Sequence, residues 1–135
     1  MTTSLEATLT VGTELPELVL PPITRSTLAL FAGASGDHVP LHIDLDVAKA
    51  AGHPDVFAHG MLSMAYLGRL VTSWVPQTSI RSLSARFTAI TPLAATPRCT
   101  GTVTSIEDGL ATLELQVSLA DGTPTLLGTA LVAVN

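Results

Sequence analysis

Cysteine is nearly missing from this sequence: Cys99 stands alone. One thiol cannot form an intrachain disulfide, and a cysteine-based zinc site is not expected. Basic residues are scarce, with 6 Lys and Arg against 11 Asp and Glu and a formal net charge of −5. That balance offers nothing electrostatic to nucleic acid or to an anionic membrane surface. Long apolar runs are lacking too. The most apolar stretch, 61–75, is shorter than the ~20 residues of a membrane span and carries Arg69. The opening MTTSLEATLT has neither the positive cluster nor the apolar run of a secretory leader. A cytoplasmic protein is the expectation.

What is present is apolar. Hydrophobic residues make up 47% of the chain and charged residues 13%, over 135 residues. Such a chain can bury a proper core, which excludes disorder, and its length suits a single domain over 1–135. Threonine divides it. All 19 threonines lie in 2–27 and 72–129, and none lies between Leu28 and Val71. β-Branched residues favour strands, so the middle should be helical or irregular and the flanks should be sheet.

Short strands are expected at Thr8–Val11 and Glu17–Leu20, ended by Pro21-Pro22. A helix should start behind Thr24 as N-cap and end at Gly33 and Gly36, followed by a loop to about Leu45 and a short helix over Asp46–Ala51. Met61–Val75 is the strongest helix candidate. Its polar groups, Ser63, Tyr66, Arg69 and Ser73, form a narrow stripe, so most of its circumference should be buried. Period-two alternation follows: Leu83, Ala85, Phe87 and Ala89 against Ser84, Arg86 and Thr88, then Ala111 to Leu119 against Thr112 to Ser118. Glu107-Asp108-Gly109 and Ala120-Asp121-Gly122 read as tight turns. Leu126–Val134, apolar on both faces, reads as a central strand. One mostly buried helix with antiparallel strands implies an α+β fold, a curved sheet wrapped around that helix.

The chemistry-bearing residues gather in the threonine-free middle. Asp37 and His42 flank Val39-Pro40 in a loop, where a turn can bring carboxylate and imidazole to one point. Such a pair can hold and deprotonate a water. The competing reading is that Asp37 caps a turn and His42 is a surface histidine. His59-Gly60 precedes the long helix. Amides at a helix start lack internal partners and carry partial positive charge, and glycine admits a ligand to the backbone. An oxygen gaining negative charge would fit there, although glycine there can equally serve close packing.

The runs FAGASGDHVPLHID, AHGMLSMAYLG and SLSARFTAITPL resemble the MaoC-like family of (R)-specific enoyl-CoA hydratases and (3R)-hydroxyacyl-acyl-carrier-protein dehydratases. The likeness extends from about Val11 to the C-terminal GTALVAVN. Within the family, TSWV at the end of the long helix and RFTA on the later strand resemble the actinobacterial dehydratase beta subunits. The resemblance implies the hot-dog fold, an antiparallel sheet curved around a central helix. It implies a catalytic dyad at Asp37 and His42, a Gly60 amide that binds the thioester carbonyl, and Ser84 as an orienter of the dyad. The activity implied is reversible hydration of a trans-2-enoyl thioester to a (3R)-3-hydroxyacyl thioester, carried by CoA or by acyl carrier protein, with no cofactor and no metal.

The resemblance also implies a dimer, either a homodimer or a heterodimer with a related hot-dog subunit. One departure is Val39, where family members often have Asn. Valine cannot supply an amide's hydrogen bonds, which puts the loop's rigidity in question. His38 and His53 read as exposed loop residues, and His59 as orienting the turn into the helix. Arg81, Arg86 and Arg98 are candidates for the mouth of a phosphopantetheine slot, Arg69 less so because its helix should be enclosed. Ala65 and Gly68 leave room either for an acyl chain or for close packing. Thioester hydrolysis, a non-catalytic partner subunit and a lipid-binding module are the competing functions.

Overall fold

The computed structural model describes residues 9–134. Five strands form one antiparallel sheet: β1 (Leu18–Val19), β2 (Ile80–Phe87), β3 (Arg98–Glu107), β4 (Leu110–Ser118) and β5 (Pro124–Ala133), in the order β1-β3-β4-β5-β2. β3, β4 and β5 are a meander, and β2 returns beside β5 with Ser84 opposite Thr129. Three helices precede the long strands: α1 (Arg25–Ser35), α2 (Leu45–Ala50) and α3 (Gly60–Thr72). This is the hot-dog arrangement, with α3 against one face of the sheet.

Local chemistry explains the boundaries. Thr24 caps α1 by accepting from the Thr27 amide, and Gly36 closes it in the left-handed region at φ 77°. Gly33 lies inside that helix rather than ending it, because a single glycine costs only about 1 kcal/mol and Gly36 is the residue with the required conformation. Asp44 caps α2 by accepting from the amides of Asp46 and Val47. Asp108 and Gly109, both at positive φ, make the β3–β4 hairpin turn.

The main core lies between α3 and the sheet. Leu67, Leu70 and Val71 from the helix pack with Leu113, Leu115, Val117, Leu126, Ala130 and Val132 from β4 and β5. The alternation foreseen for 111–117 is therefore the inward face of β4, the middle strand of the five, and β5, expected as the central strand, is an interior strand paired with β4 and β2. Gly128 allows this close approach: a Cβ there would stand 3.0 Å from the Ser84 carbonyl oxygen and 3.1 Å from Leu67. A second cluster, Ile23, Leu28, Ala48, Val56, Ala58 and Leu62, lies under α1 and α2. It fixes the irregular segments before α3 to the rest of the molecule.

Three expectations need correction. Thr8 lies outside the described residues, and 10–13 is a turn rather than strand, since the Thr13 hydroxyl accepts from the Thr10 amide and Gly12 has φ 93°. α3 begins at Gly60 and ends at Thr72, capped by Ser73, three residues short of Val75. Its burial is one-sided. Ser63, a member of the polar stripe, is buried, whereas Met61, Ala65, Arg69 and Thr72 are exposed. The sheet covers one side of the helix, so Arg69 is open to solvent and not enclosed.

Leu67 is fully buried against β5, and Leu67→Ala should lower the unfolding free energy by about 2–5 kcal/mol. A urea titration checks this, and a change below about 1 kcal/mol would contradict this packing.

Candidate functional site

The segment after α1 builds the site through its own hydrogen bonds. The Ser35 hydroxyl donates to the Phe31 carbonyl at 2.6 Å and accepts from the Asp37 amide at 3.2 Å. One Asp37 carboxylate oxygen accepts from the Val39 amide at 3.3 Å, a local turn of the kind Asp favours. Pro40 then opens a single 3₁₀ turn, Pro40–His42, with the His42 amide donating to the Val39 carbonyl at 3.1 Å. Val39 thus holds the loop through its backbone, and its exposed side chain takes no part. The doubt raised by valine at this position does not extend to the loop's geometry.

This turn directs His42 inward. Its Nδ1–H donates to the Phe57 carbonyl at 2.8 Å. A carbonyl can only accept, so the proton sits on Nδ1 and Nε2 of the neutral ring carries the lone pair. Ligand atoms of Asp37, His42 and His59 all lie within 4.8 Å of one another. Asp37 and His42 therefore converge. The capping role read for Asp37 is also real, since the same side chain holds Val39, but His42 is half-buried rather than a surface residue.

His59 joins the pair. It is fully buried, its Nε2–H donates to the main-chain carbonyl of Asp37 at 3.0 Å, and its ring stacks on His42 with centroids 4.0 Å apart at 26°. Phe31 meets it edge-on. Its Nδ1 has no partner among the described residues, which costs about 1–3 kcal/mol for a buried acceptor. Burial, the largest cause, pushes the His59 pKa below its ordinary 6.5; the charge of His42 acts in the same direction, and the bond to Asp37 opposes it. Sequence reasoning gave His59 only a role in the turn. The His-Gly pair at the helix start was the available signal, and no side-chain pattern could have revealed the Phe57 carbonyl.

Gly60 opens α3, and no described residue accepts from its amide. A Cβ at this position would stand 3.0 Å from the Phe87 ring, so glycine lets that ring lie over the helix start. Gly60 and His42 share a cavity of about 340 Å³ with Phe57, Ser63, Phe87 and Ile90 among its walls. A larger groove, about 600 Å³, runs over the sheet past Ser84, Arg86, Thr102, Glu114 and Thr129. It contains none of the converging residues, and chemistry rather than size identifies the site.

A model of the MaoC-like domain matches residues 7–120. The chain belongs to the MaoC-like family. Among curated relatives of this MaoC-like domain, 3-hydroxyacyl-thioester dehydratase Z of Mycobacterium tuberculosis is 31% identical over 103 residues, covering 71% of this chain and 68% of the relative. The 3-oxo-4,17-pregnadiene-20-carboxyl-CoA hydratase beta subunit of the same organism is 34% identical over 109 residues, covering 78% and 81%. Among solved structures, a chain of the ChsH1-ChsH2 complex from Mycobacterium tuberculosis superposes with a TM-score of 0.84 at 28% identity, covering 93% of this chain and 98% of that one.

Not every expected residue of the MaoC-like site is in it. Ser84 alternates with the core-facing Leu83 and Ala85, so it is exposed on the other face of β2 and lines the sheet groove. It makes no hydrogen bond to Asp37 or His42 among the described residues. Arg86 shares that outer face. Arg81 donates to the Thr78 carbonyl, and Arg98 lies 3.6 Å from Glu17. His38 is exposed as expected, but His53 is half-buried against the Phe57 ring at 4.8 Å. No helix among the described residues is long and apolar enough to cross a membrane.

The three-residue cluster suits proton transfer better than metal binding. His42 and His59 each commit one ring nitrogen to a carbonyl. Their remaining lone pairs lie in the ring planes, and stacked planes do not direct both to one ion at the ~2.1 Å of a metal–imidazole bond.

The depressed His59 pKa links stability to pH. As pH falls through about 6.5, the unfolded chain takes the proton while the folded ring stays neutral, so stability is lost until the folded pKa is reached. The drop in urea midpoint between about pH 7.5 and 5.5 should be larger for the wild type than for His59→Phe. Equal drops would remove the burial argument.

Proposed function

We propose that this MaoC-like domain catalyses the reversible addition of water to a trans-2-enoyl thioester, giving a (3R)-3-hydroxyacyl thioester. The observation that carries this reading is the meeting of the Asp37 carboxylate with the His42 imidazole, a ring that lines one cavity together with the Gly60 helix start.

The chemistry follows from these groups. A water held by Asp37 and His42 Nε2 faces C3 of the enoyl group. The dyad takes one proton as the oxygen bonds to C3, and the electron pair of the C2–C3 double bond moves toward the thioester carbonyl. That oxygen gains negative charge, and the Gly60 amide, with the partial positive charge of the helix start, stabilises it. The proton held by the dyad then goes to C2, which leaves the enzyme unchanged and needs no cofactor. Dehydration is the reverse.

The apolar walls Phe57, Phe87 and Ile90 fit an acyl group, with CoA or acyl carrier protein as the carrier. Met61, Phe87 and Ile90 remain about half exposed near the helix start and the cavity. Together with the two-chain complex among the similar structures, this supports pairing with a second hot-dog chain, identical or related.

Loss of enoyl absorbance without release of free thiol is the expected result with enoyl-CoA substrates; thiol release would mean hydrolysis instead. Asp37→Asn and His42→Ala should each lower kcat by about 10²–10⁴-fold with the fold retained by circular dichroism. A near-normal rate in either variant would remove the dyad.

A further inference from the structure

We propose that His59 is a positioning residue for this reaction, its Nε2–H tethering the Asp37 main chain so that the dyad stays in register with the first turn of α3. The inference rests on the hydration reading above and adds a residue to it.

Three parts of the site come from two segments distant in sequence. Asp37 and His42 sit on the loop after α1, and the Gly60 amide sits at the start of α3. His59 touches all three. It is the residue before Gly60, it donates to the Asp37 carbonyl at 3.0 Å, and it stacks on His42 at 4.0 Å. Among the described residues, no other side chain hydrogen-bonds the Asp37 carbonyl.

The buried Nδ1 without a partner is the second observation. A phenyl ring would fill similar space against Phe31 and His42 and leave no orphaned nitrogen. Imidazole adds to a phenyl ring one group that is used, the Nε2–H. The titratable groups facing this ring are Asp37 and His42, with His38 close enough to act on its charge. A neutral His59 lets His42 take up a proton during turnover, whereas a cation stacked beneath it would repel that proton.

The test separates donor from ring. His59→Phe keeps the ring and loses the donor; His59→Gln keeps a donor of similar reach and loses the ring. His59→Phe should lower kcat on the order of 100-fold, the scale of a small misplacement of reacting groups, with KM within about twofold, because the cavity walls are untouched. Amide hydrogen exchange at Val39 and His42 should speed up in the same variant. His59→Gln should recover most of kcat and restore slow exchange at both amides. Unchanged kcat and exchange in His59→Phe would overturn the proposal, and so would a Gln variant as impaired as the Phe variant. Should His59→Phe fail to fold, Gln against the shorter Asn decides: retention in Gln alone supports the tether, and equal losses overturn it. If the wild type shows no hydration at all, the functional reading fails, while the exchange measurement still decides whether His59 holds the loop.

Discussion

The hydrogen bond from His42 Nδ1 to the Phe57 carbonyl is the contact on which the rest of the site depends. It selects the tautomer, so the lone pair is on Nε2 and available to a water. It also joins the loop after α1 to the segment that leads into α3. Without it, His42 would keep its place in sequence and lose its direction. The Asp37 carboxylate would then sit beside a ring with no defined basic atom. Hydrogen bonds of this kind set function by orientation more than by strength, since each contributes only about 1 kcal/mol net.

That bond has two rigid sides. The second apolar cluster seals α1 and α2 against Val56, Ala58 and Leu62, so the Phe57 carbonyl lies on a strip of chain whose neighbours on both sides are buried. The main core meanwhile fixes α3 against β4 and β5. Asp37 and His42 occupy irregular backbone between these two clusters, where no helix or strand period imposes a direction. Their mutual position is set by Gly36, Pro40 and the caps around them.

Most of the fold was legible in the sequence. Period two in 111–117 marked the inward face of β4, and Thr24, Gly36 and the Asp108-Gly109 pair marked their boundaries, because these signals act within a few residues. The exposed side of α3 was not legible. Ser63, Tyr66 and Arg69 suggested where solvent should be, yet Ser63 is buried and Met61 exposed; what covers a helix depends on how far the sheet curls, which is a long-range property. The turn at 10–13 misled for a related reason: Thr8–Val11 has strand propensity, but Gly12 and the Thr13 hydroxyl favour a turn. In the candidate site, motif and resemblance singled out Asp37, His42 and Gly60, and the structure brings Asp37 to His42 and sets His42 and Gly60 along one cavity. Ser84 could not be placed this way, since a single residue's parity on a strand decides which face it occupies. His59 was underrated because burial and an orphaned nitrogen are invisible in a string of letters.

The charge balance of the site explains why this arrangement suits hydration without a metal. It brings together a carboxyl group and two imidazoles, one of them fully buried. Addition of water separates charge: a proton goes to the dyad and an electron pair to the thioester oxygen. Each has its own partner. In the proposed reaction the imidazolium would face the adjacent Asp37 carboxylate, and the oxygen would face the Gly60 amide, which has no acceptor among the described residues. A second cation stacked on His42 would disfavour the first of these, and burial keeps His59 from becoming one. The reacting groups thus exchange charge between fixed partners of opposite sign, and the fold's contribution is to have those partners in place before the substrate arrives.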